Sequence, residues 1–395
     1  MTETALPQNE RSAPTPDPDP AAALRRSLRS WLHNNLTPEL TRAGQRSPEE
    51  EDLDILREWN RRLADAGWAA PAWPVEHGGR GADIDEQLAY LEEMSAASAP
   101  GPVNVIGVSN IAPAIMTYGT DEQKTRFLEP MLRGDEIWSQ GMSEPDAGSD
   151  LASLRASAVL DGDEFVINGQ KTWNSLGTLA DWCQLYVRTD PTVAKHKGIS
   201  CLLVDLLSPG IEVRPLRTIT GEQPFAELFF TDVRVPVTTL LGPLHEGWKV
   251  AMTTLSFERA GVARLHLGLS KKLDHLLAEP ESARALTDPR IRQRVAGIYA
   301  DIACMRWMTN RSLEQMRSGQ PTGATGSMAK LSWGRTEQKL ADLAMDVLGE
   351  ASVLGPWAYN LIAARQTTIA GGTTEINLNI LGEAGLGLPR EPKPA

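Results

Sequence analysis

Three segments of the sequence carry residues whose types and spacing could support chemistry. The first is a central loop, Gln140 to Ala158, which reads QGMSEPDAGSDLASLRASA. The second is the dipeptide Glu258-Arg259, whose carboxylate could remove a proton or could equally form an ion pair on a helix surface. The third is the run Gly371 to Thr373, which opens a predicted helix. The free amides and dipole of that helix suit a phosphate or another anion, although the two glycines could simply form a turn.

The composition of the central loop predicts an ordered but irregular segment. Pro and Gly interrupt helices and strands, and Ser and Asp favour conformations in which the side chain caps the backbone. The loop therefore cannot be a core strand or the interior of a helix. The hydrophobic pattern also changes here, from helical spacing to alternation, which indicates a domain boundary beside the loop.

The apolar residues predict an α+β multidomain fold. Leu24, Leu28 and Leu32 begin a series of amphipathic helices before the loop, and helical spacing resumes at Gly247. The stretch between them alternates apolar and polar residues and contains hairpin turns, which is typical of a β-barrel or β-sandwich. The predicted regions are a disordered tail at 1–20, an N-terminal all-helical domain at 21–136, a middle β domain at 137–243, a C-terminal helical bundle at 244–386 and a Pro-rich tail at 387–395.

Composition and charge exclude several classes of function. A formal net charge of -12 argues against a nucleic-acid-binding surface, which would need clustered basic residues. No apolar run reaches the ~20 residues that cross a bilayer, and the first residues lack the pattern of a secretory signal, so we expect a cytoplasmic protein without membrane contact. The cysteines Cys183, Cys201 and Cys304 are expected to be buried free thiols, and neither they nor the six histidines have metal-ligand spacing.

Several motifs give the chain a resemblance to the acyl-CoA dehydrogenase family. Besides the central loop, they are NGQKTWNSLG at Asn168 to Gly177, FFTDVRVP at Phe229 to Pro236 and GGTTEI at Gly371 to Ile376, and they occur in the order typical of that family. The resemblance implies the family's three-domain fold, an FAD cofactor, an acyl-CoA substrate and an electron-transfer flavoprotein as acceptor. It also implies a homo- or hetero-oligomer, either a dimer or a tetramer.

The resemblance assigns a cofactor site. Met142 and Ser143 would face the isoalloxazine ring, with the Ser143 hydroxyl as a donor, and Trp173 would cover one face of the ring. Without the family context, Trp173 could simply be a core residue. The other residues assigned to FAD are Gln140, Gly148, Ser149, Asn174, Ser175, Gln293, Gly371, Gly372, Thr373 and Glu375.

The catalytic base is the assignment on which the functional prediction depends. Most family members carry a Glu at the position of Gly371, so the commonest base is absent here. The isovaleryl and long-chain types place a Glu immediately before an Arg on the first long helix of the C-terminal domain, and Glu258-Arg259 matches them. Glu258 is therefore the predicted base, and the vacated position indicates room for a branched or bulky acyl group. The residues assigned to the substrate are Ser149, Ser256, Arg259 and Gly371.

Two departures from the family leave alternatives open. The Arg-x-Phe-Gly motif that reaches the neighbouring subunit's cofactor is replaced by LAEPESARALTDP, although Gln293 after it is kept, and the usual Phe-Gly-Gly loop is replaced by LGEASVLG. Cofactor contacts across the dimer would then be weaker or completed by a different chain. The rival interpretations are a flavin monooxygenase on the same fold and a cofactor-poor structural partner in a hetero-oligomer.

Overall fold

The structure is a computed structural model that describes residues 21–44, 48–260, 265–318 and 324–390. The side chains of residues 257–260 and 316 are also outside the description. The predicted N-terminal tail, 1–20, and residues 391–395 of the predicted C-terminal tail therefore lie outside the described residues. The described residues form three consecutive regions, of helices, of strands and again of helices, and this confirms the predicted α+β fold class. The domain limits stay predictions.

The N-terminal region is built from amphipathic helices around a core of large apolar side chains. Leu28, Trp59, Leu63, Ile111 and Ile115 are fully buried in this core, because helical spacing places them on the inward faces. The helices are α1 (Ala22–Asn35), α2 (Pro38–Ala43), α3 (Leu53–Asp65), α4 (Ile84–Ala97), α5 (Ala112–Tyr118) and α6 (Asp121–Arg133).

Helix α6 begins with a capping box. Thr120 Oγ1 accepts a hydrogen bond from the Gln123 amide at 3.2 Å, and Gln123 Oε1 accepts one from the Thr120 amide at 3.1 Å. This capping box satisfies two amides that the first turn of a helix leaves without partners. Gln123 also donates to the carbonyls of Thr238 and Leu240, which ties α6 to the end of the β region.

The middle region is one curled sheet of seven strands. Along the sheet the order is β1-β4-β2-β3-β7-β6, and β5 pairs with β4. Most neighbours are antiparallel, but β1 runs parallel to β4, with Gln140 opposite Gln184. The strands are β1 (Trp138–Gly141), β2 (Ser157–Asp161), β3 (Glu164–Ser175), β4 (Trp182–Arg188), β5 (Ile199–Asp205), β6 (Ile211–Leu216) and β7 (Phe225–Pro236).

The C-terminal region is helical. Its helices are α7 (Gly247–Ala260), α8 (Leu265–Ala278), α9 (Pro280–Ala285), α10 (Pro289–Arg317), α11 (Thr325–Leu348), α12 (Pro356–Ala363) and α13 (Thr374–Ile380). The long helices α8, α10 and α11 pack around buried Leu269, Leu273, Ile298 and Leu343. None of the described helices is both long and apolar enough to span a bilayer.

Side chains hold the three regions together. Tyr118 Oη on α5 hydrogen-bonds Thr253 Oγ1 on α7 at 3.0 Å. Tyr359 Oη on α12 donates to Glu222 Oε2 at 2.7 Å, in the loop between β6 and β7. These bonds place α7 against the N-terminal region and α12 against the sheet.

Candidate cofactor and substrate site

A buried carboxylate fixes the first half of the central loop. Glu144 is almost fully buried, and its two oxygens accept hydrogen bonds from the Arg155 amide at 2.6 Å, the Ala156 amide at 2.8 Å and Lys171 Nζ at 2.8 Å. Lys171 Nζ also donates to the Met142 carbonyl at 3.1 Å. The loop that sequence composition leaves irregular is therefore held by charge-assisted hydrogen bonds rather than by regular pairing.

Lys171 is the buried half of this arrangement. It lies on β3 with no exposed side-chain surface, and burial lowers its pKa while the Glu144 carboxylate acts in the opposite direction. The next residue along the strand, Thr172, donates its amide to the Ser143 carbonyl at 2.9 Å. Strand β3 thus sets the position of Met142 and Ser143.

Trp173 follows at a break in the pairing of β3 with β7. The register shifts between Lys171 and Asn174, and Trp173 takes a left-handed backbone conformation, with φ +61°. Its side chain is 60% exposed and touches Phe225 edge to face, with the ring centroids 5.9 Å apart. The possibility that Trp173 is a core residue is therefore wrong. Backbone strain at an exposed aromatic residue is typical of a functional site.

Asn174, directly after Trp173, and Gln140, whose carbonyl Asn174 contacts, have amide side chains with unused hydrogen-bonding capacity. Asn174 is fully buried and donates through Nδ2 to the Gln140 carbonyl at 2.6 Å. Among the described residues, nothing pairs with Asn174 Oδ1 or Gln140 Nε2. One is an acceptor and the other a donor, and buried groups of this kind are normally satisfied. They fit a flat heteroaromatic ring whose edge carries both N–H and carbonyl groups, as the isoalloxazine of FAD does.

The rest of the central loop leads to the surface. Gly148 and Ser149 are exposed. Ser139, just before the loop, is buried, and its Oγ donates to the Ser175 carbonyl at 2.8 Å. The residue after Ser149, Asp150, pairs with Lys195 at 2.7 Å, and this hydrogen bond lowers the pKa of its carboxyl group. Ser149 is thus accessible to a ligand that approaches from solvent.

Helix α7 is anchored just before its predicted catalytic residue. Thr254 is fully buried, and its hydroxyl contacts Tyr186 Oη at 3.2 Å and Gln184 Nε2 at 3.4 Å. Ser256 is exposed and donates to the Thr253 carbonyl. Glu258 and Arg259 lie in the last turn of α7, and their side chains are outside the described residues, so their roles stay predictions.

The third predicted segment is a surface turn. Gly371 and Gly372 take left-handed conformations, with φ +66° and +88°, which favour glycine. Thr373 caps α13, because its hydroxyl accepts a hydrogen bond from the Ile376 amide at 3.2 Å. Glu375 is exposed, as is Gln293 on α10. No hydrogen bond or ring contact within the described residues joins these five positions to the central loop.

Sequence reasoning missed two features of the site and the exposure of one thiol outside it. Lys171 was not singled out, although a lysine amid inward-facing strand positions is a recognisable signal of a buried ion pair. Tyr186 and Thr254 were missed because their contact depends on how α7 packs against β4. Cys304 is exposed on α10, so the expectation that all three thiols are buried was wrong, whereas Cys183 and Cys201 are buried as expected. No cluster of metal-ligating side chains occurs in the part of the chain that the structure describes.

Three family models match consecutive parts of the chain. The model described as "Acyl-CoA dehydrogenase, N-terminal domain" matches residues 18–135, the middle-domain model matches 139–233, and the C-terminal-domain model matches 245–386. Together they span almost everything between the two terminal tails.

Individual proteins match over nearly their full length. "Acyl-CoA dehydrogenase IpdE1" of Mycobacterium tuberculosis is 40% identical over 380 residues, which are 93% of this chain and 98% of that protein. The solved "Tcur3481-Tcur3483 steroid ACAD" has a TM-score of 0.85 and 31% identity, covering 95% of this chain and 99% of that one. The crystal structure of "the ChsE4-ChsE5 complex" from Mycobacterium tuberculosis has a TM-score of 0.80 and 34% identity, covering 97% and 100%. Sequence and fold are thus shared along the same span.

Proposed function

Because the chain belongs to the acyl-CoA dehydrogenase family, a family of flavin-dependent oxidoreductases, we propose that it binds FAD and dehydrogenates an acyl-CoA thioester between its α and β carbons. The observation that carries the proposal is the set of groups around Trp173. The exposed, strained Trp173 directly precedes Asn174, and the buried atoms Asn174 Oδ1 and Gln140 Nε2 have no partner among the described residues. With these side chains turned towards it, a bound flavin ring would supply both partners.

Each part of the central loop has a proposed role. Trp173 covers one face of the flavin, and Ser143 donates a hydrogen bond to its edge. Lys171 and Glu144 hold both elements in register. FAD held by these residues would supply the hydride acceptor for the β carbon of the substrate, and an electron-transfer flavoprotein would be the onward electron acceptor.

Glu258 is the proposed base for the α proton. The α7 helix that carries it is anchored one turn earlier, by Thr253 to Tyr118 and by Thr254 to Tyr186. The Gly371 amide is the proposed donor to the thioester oxygen, because negative charge develops there as the proton leaves.

The proposed substrate is a bulky, ring-containing acyl-CoA of steroid type. One structural relative is described as a steroid acyl-CoA dehydrogenase, and the Gly371 position lacks the side chain that most family members carry there. A glycine leaves space beside the α carbon that a straight acyl chain does not need.

We also propose that the active assembly contains a second chain of the same family. Two structural relatives are described as pairs of differently named chains. In this chain the segment LAEPESARALTDP replaces the motif that reaches the neighbouring subunit's cofactor. Helix α10 exposes Tyr299 (67%) and Trp307 (60%) two turns apart on one face, which suits contact with a partner.

The visible spectrum of the protein tests the proposal. It is recorded for the chain purified alone and for the chain co-expressed with a second member of the acyl-CoA dehydrogenase family. We expect yellow, FAD-containing protein that a ring-containing acyl-CoA bleaches without oxygen. Colourless protein under both conditions would contradict the cofactor assignment. Yellow protein that bleaches only with a reduced nicotinamide would favour the monooxygenase alternative.

A further inference from the structure

A cavity of about 480 Å³ lies between the N-terminal and C-terminal helices. Its walls come from α4 on one side and from α8, α11 and the segment that ends at Thr367 on the other. Tyr90, Met94, Leu269 and Trp333 give it an apolar lining. A volume of this size is in the range of cavities that hold small organic ligands.

The cavity adjoins both chain segments that lead to the proposed reaction centre. Leu265, the first residue of α8, lines it and follows the α7 helix that carries Glu258. Thr367 lines it and precedes Gly371. The small residues Ala99 and Gly268 are part of the lining and fill little of the space with side-chain atoms. The volume therefore leaves room for a fused ring.

An ion pair interrupts the apolar lining. Lys272 on α8 donates to Glu337 on α11, and both residues line the cavity. Glu337 is almost fully buried, whereas Lys272 keeps part of its side chain accessible. The contact uses one ammonium hydrogen and one carboxylate oxygen, so Lys272 can still donate and Glu337 can still accept.

Thr367, another polar residue at the wall, already has partners. The Thr367 hydroxyl donates to the Ala364 carbonyl at 2.6 Å, and the Thr367 carbonyl accepts from Lys330 Nζ at 2.7 Å. The neighbouring lysine, Lys271, donates to Ser95 and Ser98 on the N-terminal side. The pair of Lys272 and Glu337 therefore offers a donor and an acceptor side by side with no net charge.

We propose that this cavity receives the distal part of the acyl group and that Lys272 and Glu337 select rings that carry a hydroxyl. A hydroxyl can accept from Lys272 and donate to Glu337 at once. A plain hydrocarbon ring would displace water from the ion pair without replacing the hydrogen bonds of that water, which makes its binding unfavourable. A ring that carries a carboxylate would be repelled by the Glu337 charge. This inference rests on the proposed function, because it assumes that the ligand is an acyl-CoA.

Binding of two matched analogues tests the inference without requiring any reaction. One analogue is (decahydronaphthylthio)acetyl-CoA. The other is the same compound with one ring hydroxyl, and it is tested as a set of isomers that differ in the position of the hydroxyl. Their sulfur replaces the β carbon, so no hydride can leave. Calorimetry on the FAD-loaded protein should give a tighter dissociation constant for one hydroxylated isomer, by about 10-fold, because hydrogen bonds to charged groups are among the stronger ones. Equal affinities, or no binding of either analogue, would overturn the inference.

Variants separate recognition from folding. The double variant Lys272→Met with Glu337→Met removes both charges at similar volume, a replacement that buried ion pairs often tolerate. It should bind both analogues within about twofold of each other. Glu337→Gln leaves the Lys272 charge without its counter-charge. This variant should therefore bind an analogue whose ring carries a carboxylate more tightly than the parent protein does. Retention of the hydroxyl preference in the double variant would contradict the inference.

Lys339→Met is the matched control, because Lys339 is on α11, the helix of Glu337, and pairs with Asp301 at an exposed position. It should keep the hydroxyl preference, and loss of the preference there would also overturn the inference. Dehydrogenable decahydronaphthylpropanoyl-CoA esters provide the remaining distinction. If they fail to bleach the flavin while the sulfur analogues still discriminate, the proposed reaction is wrong and the recognition role stands.

Discussion

Lys171 Nζ lies 2.8 Å from Glu144 Oε1, and the lysine side chain has no exposed surface. This pair joins the strand that carries Trp173 and Asn174 to the loop that carries Met142 and Ser143. A buried pair with three further hydrogen bonds at its ends holds its geometry without regular secondary structure. The strand and the loop that form the proposed flavin site are therefore held in a fixed position relative to each other.

We expect Lys171→Met to weaken FAD binding and to lower stability strongly. The substitution leaves the Glu144 carboxylate buried with backbone amides only, and breaking a buried ion pair typically costs about 3–5 kcal/mol. Thermal melting of the apo protein and fluorescence titration with FAD measure the two effects. Lys195→Met, which breaks the exposed pair with Asp150 on the same loop, should change both quantities little. Equal effects of the two substitutions would contradict the role given to the buried pair.

Trp173→Ala is expected to reduce FAD retention more than it changes the fold. The Trp173 side chain is mostly exposed and contacts Phe225 at its edge, so its removal opens no core cavity. Aromatic stacking on a bound ring contributes about 0.5–1.5 kcal/mol beyond area burial. Comparison of apo melting temperatures with FAD dissociation constants checks this. An unchanged FAD affinity together with a large fall in apo stability would show that Trp173 serves the fold alone.

Local patterns predicted the helices but not the details of the sheet. Thr120 and Gln123 form a capping box, a motif whose sequence signal lies within four consecutive residues. Strand β1 was assigned in part to the loop, since its partner β4 is distant in sequence and parallel pairing has no local signature. Strand β7 continues past Asp232, which takes a left-handed conformation, with φ +49°, beside a register shift against β3. Such features depend on contacts between strands.

For the site, as for the fold, local sequence patterns predicted some features, and the others depend on contacts between strands. Residue types and order indicated which segments would carry function, and resemblance assigned their roles. The bulge that exposes Trp173 depends on the register between β3 and β7, and the unpaired buried atoms of Gln140 and Asn174 depend on how β1 packs against β3. Neither dependence is visible in a single segment. The exposure of Cys304 was missed because the face of α10 that it occupies is set by the packing of α10 on α11.

The ion pair between Arg29 and Glu93 predicts a pH-dependent contribution to stability. The hydrogen bond from Arg29 lowers the pKa of Glu93 from its ordinary value of 4.5. A lowered folded-state pKa means that the stabilisation is complete above pH 4.5 and is lost as pH falls through the folded-state pKa. Arg29→Met should therefore melt earlier than the parent at pH 7 and converge with it in acid. A melting difference that stays constant with pH would contradict this, and Lys124→Met, at an exposed pair, is the control.

The thiols are expected to differ in reactivity. Burial raises the pKa of Cys183 to about 12 and also raises that of Cys201, so neither forms thiolate near neutral pH, whereas Cys304 is exposed. Iodoacetamide at pH 8, followed by peptide mass spectrometry, should modify Cys304 in the isolated chain and spare the other two until denaturant is added. Modification of all three at similar rates would show that the sheet core is open.

Anaerobic flavin bleaching in Glu258→Gln tests the central claim most directly. The amide has nearly the shape of the carboxylate, so the variant should still bind FAD and the ring-containing acyl-CoA, which titration verifies. Because a positioned base supplies about 10²- to 10⁴-fold in rate, bleaching by the acyl-CoA should slow by at least 100-fold relative to the parent. Bleaching of the variant at a rate near that of the parent would contradict the assignment of Glu258 and leave the proposed reaction without its base.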